Sequence, residues 1–372
     1  MALREIASVF LRLGLTAFGG PAAHVAMMRS EVVERRKWLT DEEFLDLLGA
    51  TNFIPGPNST ELAIHVGHRR GGARGLVVAG LCFIVPAALL TLGFAWAYVR
   101  YGAMPRATAI LHGVKPVIVV IVAQALVGLG RTALKTRALA VLGAATIAAN
   151  VAGVPELPLL FAGAVAGGLL GAKRGDAAAG AFVAVPSAMA ASGAGVTISG
   201  LFTVFLKIGS VLFGSGYVLV AFLRADLVQR LHWLTEAQLI DAVAAGQVTP
   251  GPVFTTATFI GYLLAGPRGA LVATAGIFLP AFVFVAASGP LVPKLRASPV
   301  AGAFLDGLNV ASLALMAVVT AQLARAAIVD LPTALVGIGA AVLLLRFKLN
   351  ATWLMLGGAA LGIGLHLLHF NR

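Results

Sequence analysis

Apolar runs of about 20 residues, the length a helix needs to cross a bilayer, recur from one end of the chain to the other. Short polar stretches carrying most of the charge separate them. In the first half the runs lie near residues 5–28, 75–99, 107–130, 138–153 and 157–172. Residues 41–69 read differently, as two short helix-like pieces interrupted by Pro55-Gly56-Pro57. Two prolines so close forbid a continuous helix, because each lacks a backbone donor and its ring clashes with the preceding turn. Such a break is tolerated at membrane depth only where the freed backbone faces protein or a water-filled cavity. The pattern predicts an all-α polytopic membrane protein.

The second half repeats the first. Phe10 to Pro57 aligns without gaps on Phe205 to Pro252 at an offset of 195, and 18 of the 48 positions are identical. Roughly four or five matches would arise by chance in so biased a composition. The matches include Phe18-Gly19 with Phe213-Gly214, Trp38-Leu39-Thr40 with Trp233-Leu234-Thr235, Asp46 with Asp241, and Pro55-Gly56-Pro57 with Pro250-Gly251-Pro252. After one deletion the offset becomes 194, pairing Arg74 with Arg268, Pro86 with Pro280, Gly113 with Gly307 and Arg131 with Arg325. Two homologous halves, 1–190 and 191–372, are expected, joined near the Ala/Gly/Ser-rich stretch from Ala190 to Gly195.

Charge turns this pattern into a topology. Only 11% of residues are charged and 59% are hydrophobic, too few charges to cover a water-soluble surface of 372 residues. The net charge of +12 does not point to nucleic acid, because the cations sit in short clusters between apolar runs. One cluster (Arg29, Arg35, Arg36, Lys37) precedes the broken element and another (Arg69, Arg70, Arg74) follows it. If both are cytoplasmic, the broken element is re-entrant and each half makes five crossings, an odd number that inverts the second half. About ten transmembrane helices and two Pro-Gly-Pro-broken re-entrant elements are then expected, as an inverted repeat with both termini outside. Under this arrangement 16 Lys and Arg fall on the cytoplasmic side and 8 outside, while Arg12, Lys115 and Lys207 lie within apolar runs. Arg12 also interrupts the first run and no small-residue cleavage site stands out, so no signal peptide is expected. The single cysteine, Cys82, excludes an internal disulfide.

The candidate chemistry is anion binding. Arg12 and Lys207 are repeat equivalents inside the first run of each half, where an unpaired charge costs about 3 kcal/mol or more. The same sign at the same position in both halves favours an anion site over a structural ion pair with Asp46 or Asp241. After Pro57 comes Asn58-Ser59-Thr60-Glu61, a capping-box pattern, and after Pro252 comes a stretch containing Thr255 and Thr256. Each break is therefore expected to open a helix N-terminus, with free N–H donors, a positive dipole end and hydroxyls. Gly56 and Gly251 lie within the breaks, and Asn52 and Gln247 just before them offer amide donors. The glycine turns at Gly19-Gly20 and Gly214-Ser215, about two helical turns from the cations, could present backbone N–H groups. Glu61, Asp46, Asp241 and Asp306 are candidates for relaying protons, Glu61 foremost. His24 and His65 are too scattered for a metal site, and no cofactor is expected. Gly163, Gly167 and Gly171 form a helix-packing stripe that could join two subunits in a homodimer.

The stretches Phe10-Leu-Arg-Leu-Gly-Leu-Thr-Ala-Phe-Gly-Gly-Pro21, Trp38-Leu-Thr-Asp-Glu-Glu-Phe44 and Pro55-Gly-Pro-Asn-Ser-Thr60, with their second-half partners, resemble the chromate ion transporter family in its two-domain, long-chain form. The resemblance covers nearly the whole chain. It implies a bacterial or archaeal inner-membrane carrier that expels chromate and confers resistance, with sulfate, a similar tetrahedral dianion, as competitor. Gly214-Ser215-Gly216 stands where the first half has Gly-Gly-Pro, so the halves need not contribute equally. A sulfate or other oxyanion carrier of the same build is the alternative. An intramembrane enzyme would need a nucleophile with its base or a metal cluster, and neither has the spacing for it here. No ATP-binding loop is present, so uphill transport would draw on an ion gradient or a separate subunit.

Overall fold

Proline and glycine decide where the helices stop. The computed structural model describes residues 2–17, 20–51, 54–102, 105–172, 195–213, 218–288, 299–347, 349 and 351–370, and their regular structure is entirely helical. The first half contains α1 (Ala2–Thr16), α2 (Gly20–Arg29, running on into a π-helical turn, Ser30–Arg35), α3 (Asp41–Thr51), α4 (Asn58–Tyr101), α5 (Pro105–Ala133), α6 (Arg137–Val151) and α7 (Glu156–Ala172). The second contains α8 (Ile198–Val211), α9 (Leu219–Leu223, running on into π-helical Arg224–Arg230), α10 (Glu236–Val248), α11 (Thr256–Ser288), α12 (Pro299–Ala327), α13 (Leu331–Arg346) and α14 (Ala351–Phe370). Stretches within α4, α5, α11 and α12 are long and apolar enough to cross a membrane, and shorter apolar helices accompany them. Large apolar side chains such as Leu89, Val141, Phe161, Leu271, Ile338 and Trp353 remain exposed, as a lipid-facing surface requires.

The run near 5–28, expected as one span, doubles back instead. α1 ends at Thr16 and α2 begins at Gly20, with Pro21 in its first turn, where a missing N–H costs nothing. The return is antiparallel: His24 Nε2 lies 3.0 Å from the Ala17 carbonyl oxygen, and farther from the turn Arg12 meets Glu31. In the second half Lys207 meets Asp226 across the same 19-residue interval. Lys37 and His232, again 195 apart, share a positive φ of 52° and 53°.

α4 is also a hairpin. Gly71 and Gly72 leave the helical conformation, and a side chain on Gly67 would strike the Gly75 carbonyl, so the limb before the bend folds back on the limb after it. α11 bends in the same way at Ala265 and Gly266, with Thr258 and Thr274 hydroxyls 2.7 Å apart across the fold. The two ends of the broken element 41–69 lie side by side. Arg69 pairs with Glu43 at 3.0 Å, and Arg70 stacks on Trp38. Arg70 also reaches Glu5 at 3.5 Å, so the start of α1 shares this basic face. If the clusters around Arg36 and Arg70 are cytoplasmic, residues 2–5 are too, which corrects the expectation of an outside N-terminus.

The halves interlock. The second limb of α4 packs antiparallel on that of α11: Leu76 clusters with Ala281 and Val285, and Gly80 lies under the Phe282 ring. Gly163 and Gly167 of α7 abut the backbone of α12 at Ala303, Gly307 and Ala311. Gly113 of α5 abuts Gly358 and Gly362 of α14 in the same way. The stripe read as a subunit contact is thus used inside the chain at Gly163 and Gly167, because glycine lets two helix backbones touch and gain dispersion contacts. Gly171 carries no described side-chain environment.

Candidate functional site

The two Pro-Gly-Pro breaks come against the ends of α1 and α8 in the interior. Pro55 and Pro57 stop α3 from continuing, and Gly56 between them takes φ +141°, a conformation open to glycine and strained for any other residue. Its N–H donates to the Leu212 carbonyl at the end of α8, at 2.7 Å. Gly251, at φ +85°, donates to the Ala17 carbonyl at the end of α1, at 2.9 Å. Each half therefore satisfies a carbonyl left over at a helix end of the other.

The two breaks differ in chemistry. Pro57 occupies the cap position of α4, and its carbonyl accepts from the N–H groups of Thr60 and Glu61. The expected capping box of Asn58 with Glu61 is absent, because Asn58 is already the first helical residue. Asn58 is partly buried; Ser59, Thr60 and Glu61 are buried. The Ser59 hydroxyl lies 3.3 Å from His24 Nδ1, tying this N-terminus to the α1–α2 turn. Neither Glu61 carboxylate oxygen nor the Thr60 hydroxyl has a hydrogen-bond partner among the described residues. In the second half a short 3₁₀ turn, Val253–Thr255, precedes α11, and its hydroxyls are occupied. Thr255 donates to the Pro252 carbonyl at 2.9 Å and Thr256 to the Val253 carbonyl at 2.8 Å. Thr91 donates to Thr255 and Thr249 at 3.1 and 3.3 Å, so this tip is closed on itself.

Arg12 and Lys207 are both ion-paired, with carboxylates other than the ones expected. Glu31, 4% exposed, gathers Arg12, Arg36 at 2.8 Å and Arg35 at 3.5 Å. Asp226, 5% exposed, gathers Lys207 and Arg230, each at 2.9 Å. Asp46 is exposed on α3, whereas Asp241 is buried on α10, where Lys115 lies 3.1 Å away and the Tyr98 hydroxyl donates at 2.9 Å. Asp306 pairs with Lys135 at 2.7 Å. Gln247 sits near the end of α10 with its amide nitrogen buried and without a hydrogen-bond partner among the described residues. Gly20 opens α2. Gly19, Asn52, Gly214 and Ser215 lie outside the described residues. At the edge of the site, the backbone N–H of Thr40 and then Arg69 hold the Glu43 carboxyl below its usual range. Among the described residues no three metal-ligating side chains come together.

Sequence reasoning missed Glu31, Asp226, Lys115, Tyr98 and His24. The two acids were visible as a pair: an acid 19 residues after the cation in both halves is the signature of an ion pair carried by the repeat. Lys115 was visible as a cation beside Pro116 in an apolar run, though nothing local named its partner.

Two stretches, 4–172 and 199–363, match the sequence model of the family described as chromate transporter. The chain is 36% identical over 375 residues to the chromate transport protein of Cupriavidus metallidurans, covering 98% of this chain and 92% of that one. It is 31% identical over 353 residues to the probable chromate transport protein of Synechococcus elongatus, covering 91% and 88%. To the chromate transport protein of Pseudomonas aeruginosa it is also 31% identical over 353 residues, covering 91% and 85%. No solved structure matches.

Proposed function

The chain belongs to the chromate transporter family, and on that premise we propose that it exports chromate across the cytoplasmic membrane of a bacterium or archaeon as a secondary carrier. It is a multi-pass membrane protein and a transporter rather than an enzyme. The observation that carries the reading is the meeting of two broken helices inside the bundle, where each half donates a glycine N–H to the other. A dianion held at that point would be reached in turn from either side if the halves rock about it, as in carriers built from inverted repeats.

The inverted arrangement draws support from the antiparallel second limbs of α4 and α11. The re-entrant reading of 41–69 draws support from the Arg69–Glu43 pair at its two ends. The run expected as the first crossing of each half is itself a hairpin, so the inversion rests on the packing of these limbs and not on an odd number of crossings.

The proposed anion site centres on Gly56, Asn58, Ser59 and Thr60 at the N-terminus of α4, where the dipole end and hydroxyls favour an oxyanion. Gly251, Thr255 and Thr256 face it from the second half. Asn52, Gln247 and the turns at Gly19-Gly20 and Gly214-Ser215 complete the donor set. Arg12 and Lys207 supply positive charge beside the α1 and α8 turns. Glu61, buried against Gly56, is the proposed coupling acid, with Asp46 and Asp241 as further proton sites. Uptake of labelled chromate and sulfate into inside-out vesicles, with and without a proton gradient, tests the whole reading. Gradient-dependent accumulation of chromate, inhibited by sulfate, is expected. Accumulation of sulfate alone would assign the same architecture to another oxyanion, and accumulation of neither would overturn the carrier reading.

A further inference from the structure

The first limb of α4 carries a polar stripe through apolar surroundings. Glu61, His65 and His68 follow one another at intervals of four and three residues, the spacing that keeps side chains on one helix face. Among them stand Leu62, Ala63, Ile64 and Val66, all buried in the core. Glu61 is fully buried, His65 is 7% exposed, His68 is half-buried, and Arg69 and Arg70 beyond it lie exposed on the basic face. The stripe thus runs from the Pro-Gly-Pro break to that face. Both Glu61 carboxylate oxygens and the His65 Nε2 are buried without a hydrogen-bond partner among the described residues. Buried polar groups that serve only the fold are normally satisfied, and ionisable groups at membrane depth mark function. At the offset of 194 the second half has Thr255, Phe259 and Tyr262, none of which exchanges a proton near neutral pH. The ionisable groups facing this limb from its neighbours are engaged elsewhere. His24 on α2 has its ring nitrogens against Ser59 and the Ala17 carbonyl. On α1 Glu5 holds Arg70 and Arg12 meets Glu31, and on α3 Glu43 holds Arg69. Asp241 on α10 is bound by Lys115 and Tyr98, and α11 presents the apolar Ala281 and Val285.

We propose that His65, with His68 beyond it, carries the coupling proton between Glu61 and the basic face. The inference rests on the carrier reading above, with Glu61 as its coupling acid, and adds the residues that connect this acid to one side of the membrane. Side chains four residues apart on a helix have Cβ atoms about 5–6 Å apart, within reach of direct contact or of one intervening water. Helical side chains lean toward the N-terminus, so the Glu61 carboxylate lies over Gly56 and the His65 ring is carried toward the turn of Glu61. With the ring protonated at Nδ1, its Nε2 offers a lone pair. Glu61 gives its proton to that lone pair and is left a carboxylate. The imidazolium then releases one proton toward His68 and the basic face, which returns the ring to its neutral form. The reverse sequence loads Glu61 from the same face.

The test uses inside-out vesicles carrying His65→Phe, the residue type that the second half has at Phe259. With chromate on both sides and no proton gradient, exchange of labelled chromate should proceed as in the unaltered protein. With an imposed proton gradient, the initial rate of accumulation should fall about tenfold or more, the scale of a lost proton-transfer group. His68→Gln should lose less, because water reaches that position. Imidazole in the medium should restore gradient-driven accumulation to His65→Ala. Pyrrole, a ring of the same size without a basic nitrogen, should not, a distinction that a role in packing alone would not make. If His65→Phe does not stay monodisperse, His65→Gln carries the same comparison. Gradient-driven accumulation undiminished by loss of the histidine, while Glu61→Gln abolishes it, would overturn the relay and leave Glu61 as the coupling acid. Loss of exchange as well, in a monodisperse variant, would place His65 at the anion site and overturn the relay. No chromate exchange by the unaltered protein would fall on the carrier reading and take the relay with it.

Discussion

Replacing Gly56 by alanine should damage the protein well beyond what one methyl group usually does. Three effects add at this position. The φ of +141° is strained for any residue with a Cβ, at about 1–3 kcal/mol. The new methyl would overlap the Glu61 carboxylate, which is fully buried and has Ala281 close by on the same side of Gly56. Relieving that overlap by moving the turn would weaken the Gly56 N–H bond to Leu212, worth about 1 kcal/mol net. Together these come to roughly 2–4 kcal/mol. Gly72 provides the control. It has φ +61° and ψ −152° at the bend of α4, so Gly72→Ala should carry a similar backbone strain of about 1–3 kcal/mol, but no atom lies within 4 Å of where a Cβ would sit and the overlap and the lost hydrogen bond are absent. Thermal unfolding of the two purified variants, followed by loss of the monodisperse peak on size exclusion, compares them directly. Gly56→Ala should melt several degrees below Gly72→Ala and should also lose chromate uptake. Equal melting temperatures would refute the account of the break as a strained junction between the halves. A further variant, Glu61→Ala on top of Gly56→Ala, should recover the overlap component but not the backbone strain.

Arg12→Ala and Lys207→Ala should abolish chromate resistance with the protein still in the membrane. Because Glu31 keeps Arg36 and Asp226 keeps Arg230, and because Arg12 is half exposed, each should cost only about 1 kcal/mol of stability. Full resistance in both variants would leave the two cations as structural ion pairs. Glu61→Gln should uncouple transport: chromate exchange across preloaded vesicles persists while accumulation driven by a proton gradient disappears, and undiminished gradient-driven accumulation would exclude Glu61 as the coupling acid.

The scaffold was legible in the sequence wherever a residue type forces the backbone. Pro55, Pro57, Pro250 and Pro252 fixed both breaks, and the 195-residue offset located the equivalent turns before any contact was known. The run near 5–28 misled because hydropathy records only how apolar a stretch is. A hairpin whose two limbs are both apolar reads the same as one span of their combined length. Partners were harder still. Asp46 or Asp241 was the plausible mate for Arg12 or Lys207 by membrane depth, but the return of α2 along α1 brings Glu31 back instead. Contacts between halves, such as Lys115 with Asp241, have no sequence signature at all, since 126 residues separate them.

The repeat itself tells scaffold from working parts. Features present in both halves include the Arg12–Glu31 and Lys207–Asp226 pairs, the left-handed Lys37 and His232, and the glycine N–H donors at the breaks. A feature that both copies keep suits the structure that both need, whatever side each faces. The departures fall elsewhere. Glu61 stands opposite Thr255 at the offset of 194, an unpartnered acid against a satisfied hydroxyl. Lys115 stands opposite Asn309. A carrier of perfect internal symmetry would have two conformations of equal energy and no preferred direction of rest. An acid opposite a hydroxyl and a cation opposite an amide break that equality. On the proposed reading, the residues that most distinguish the halves are therefore the ones at which coupling and direction are to be sought first.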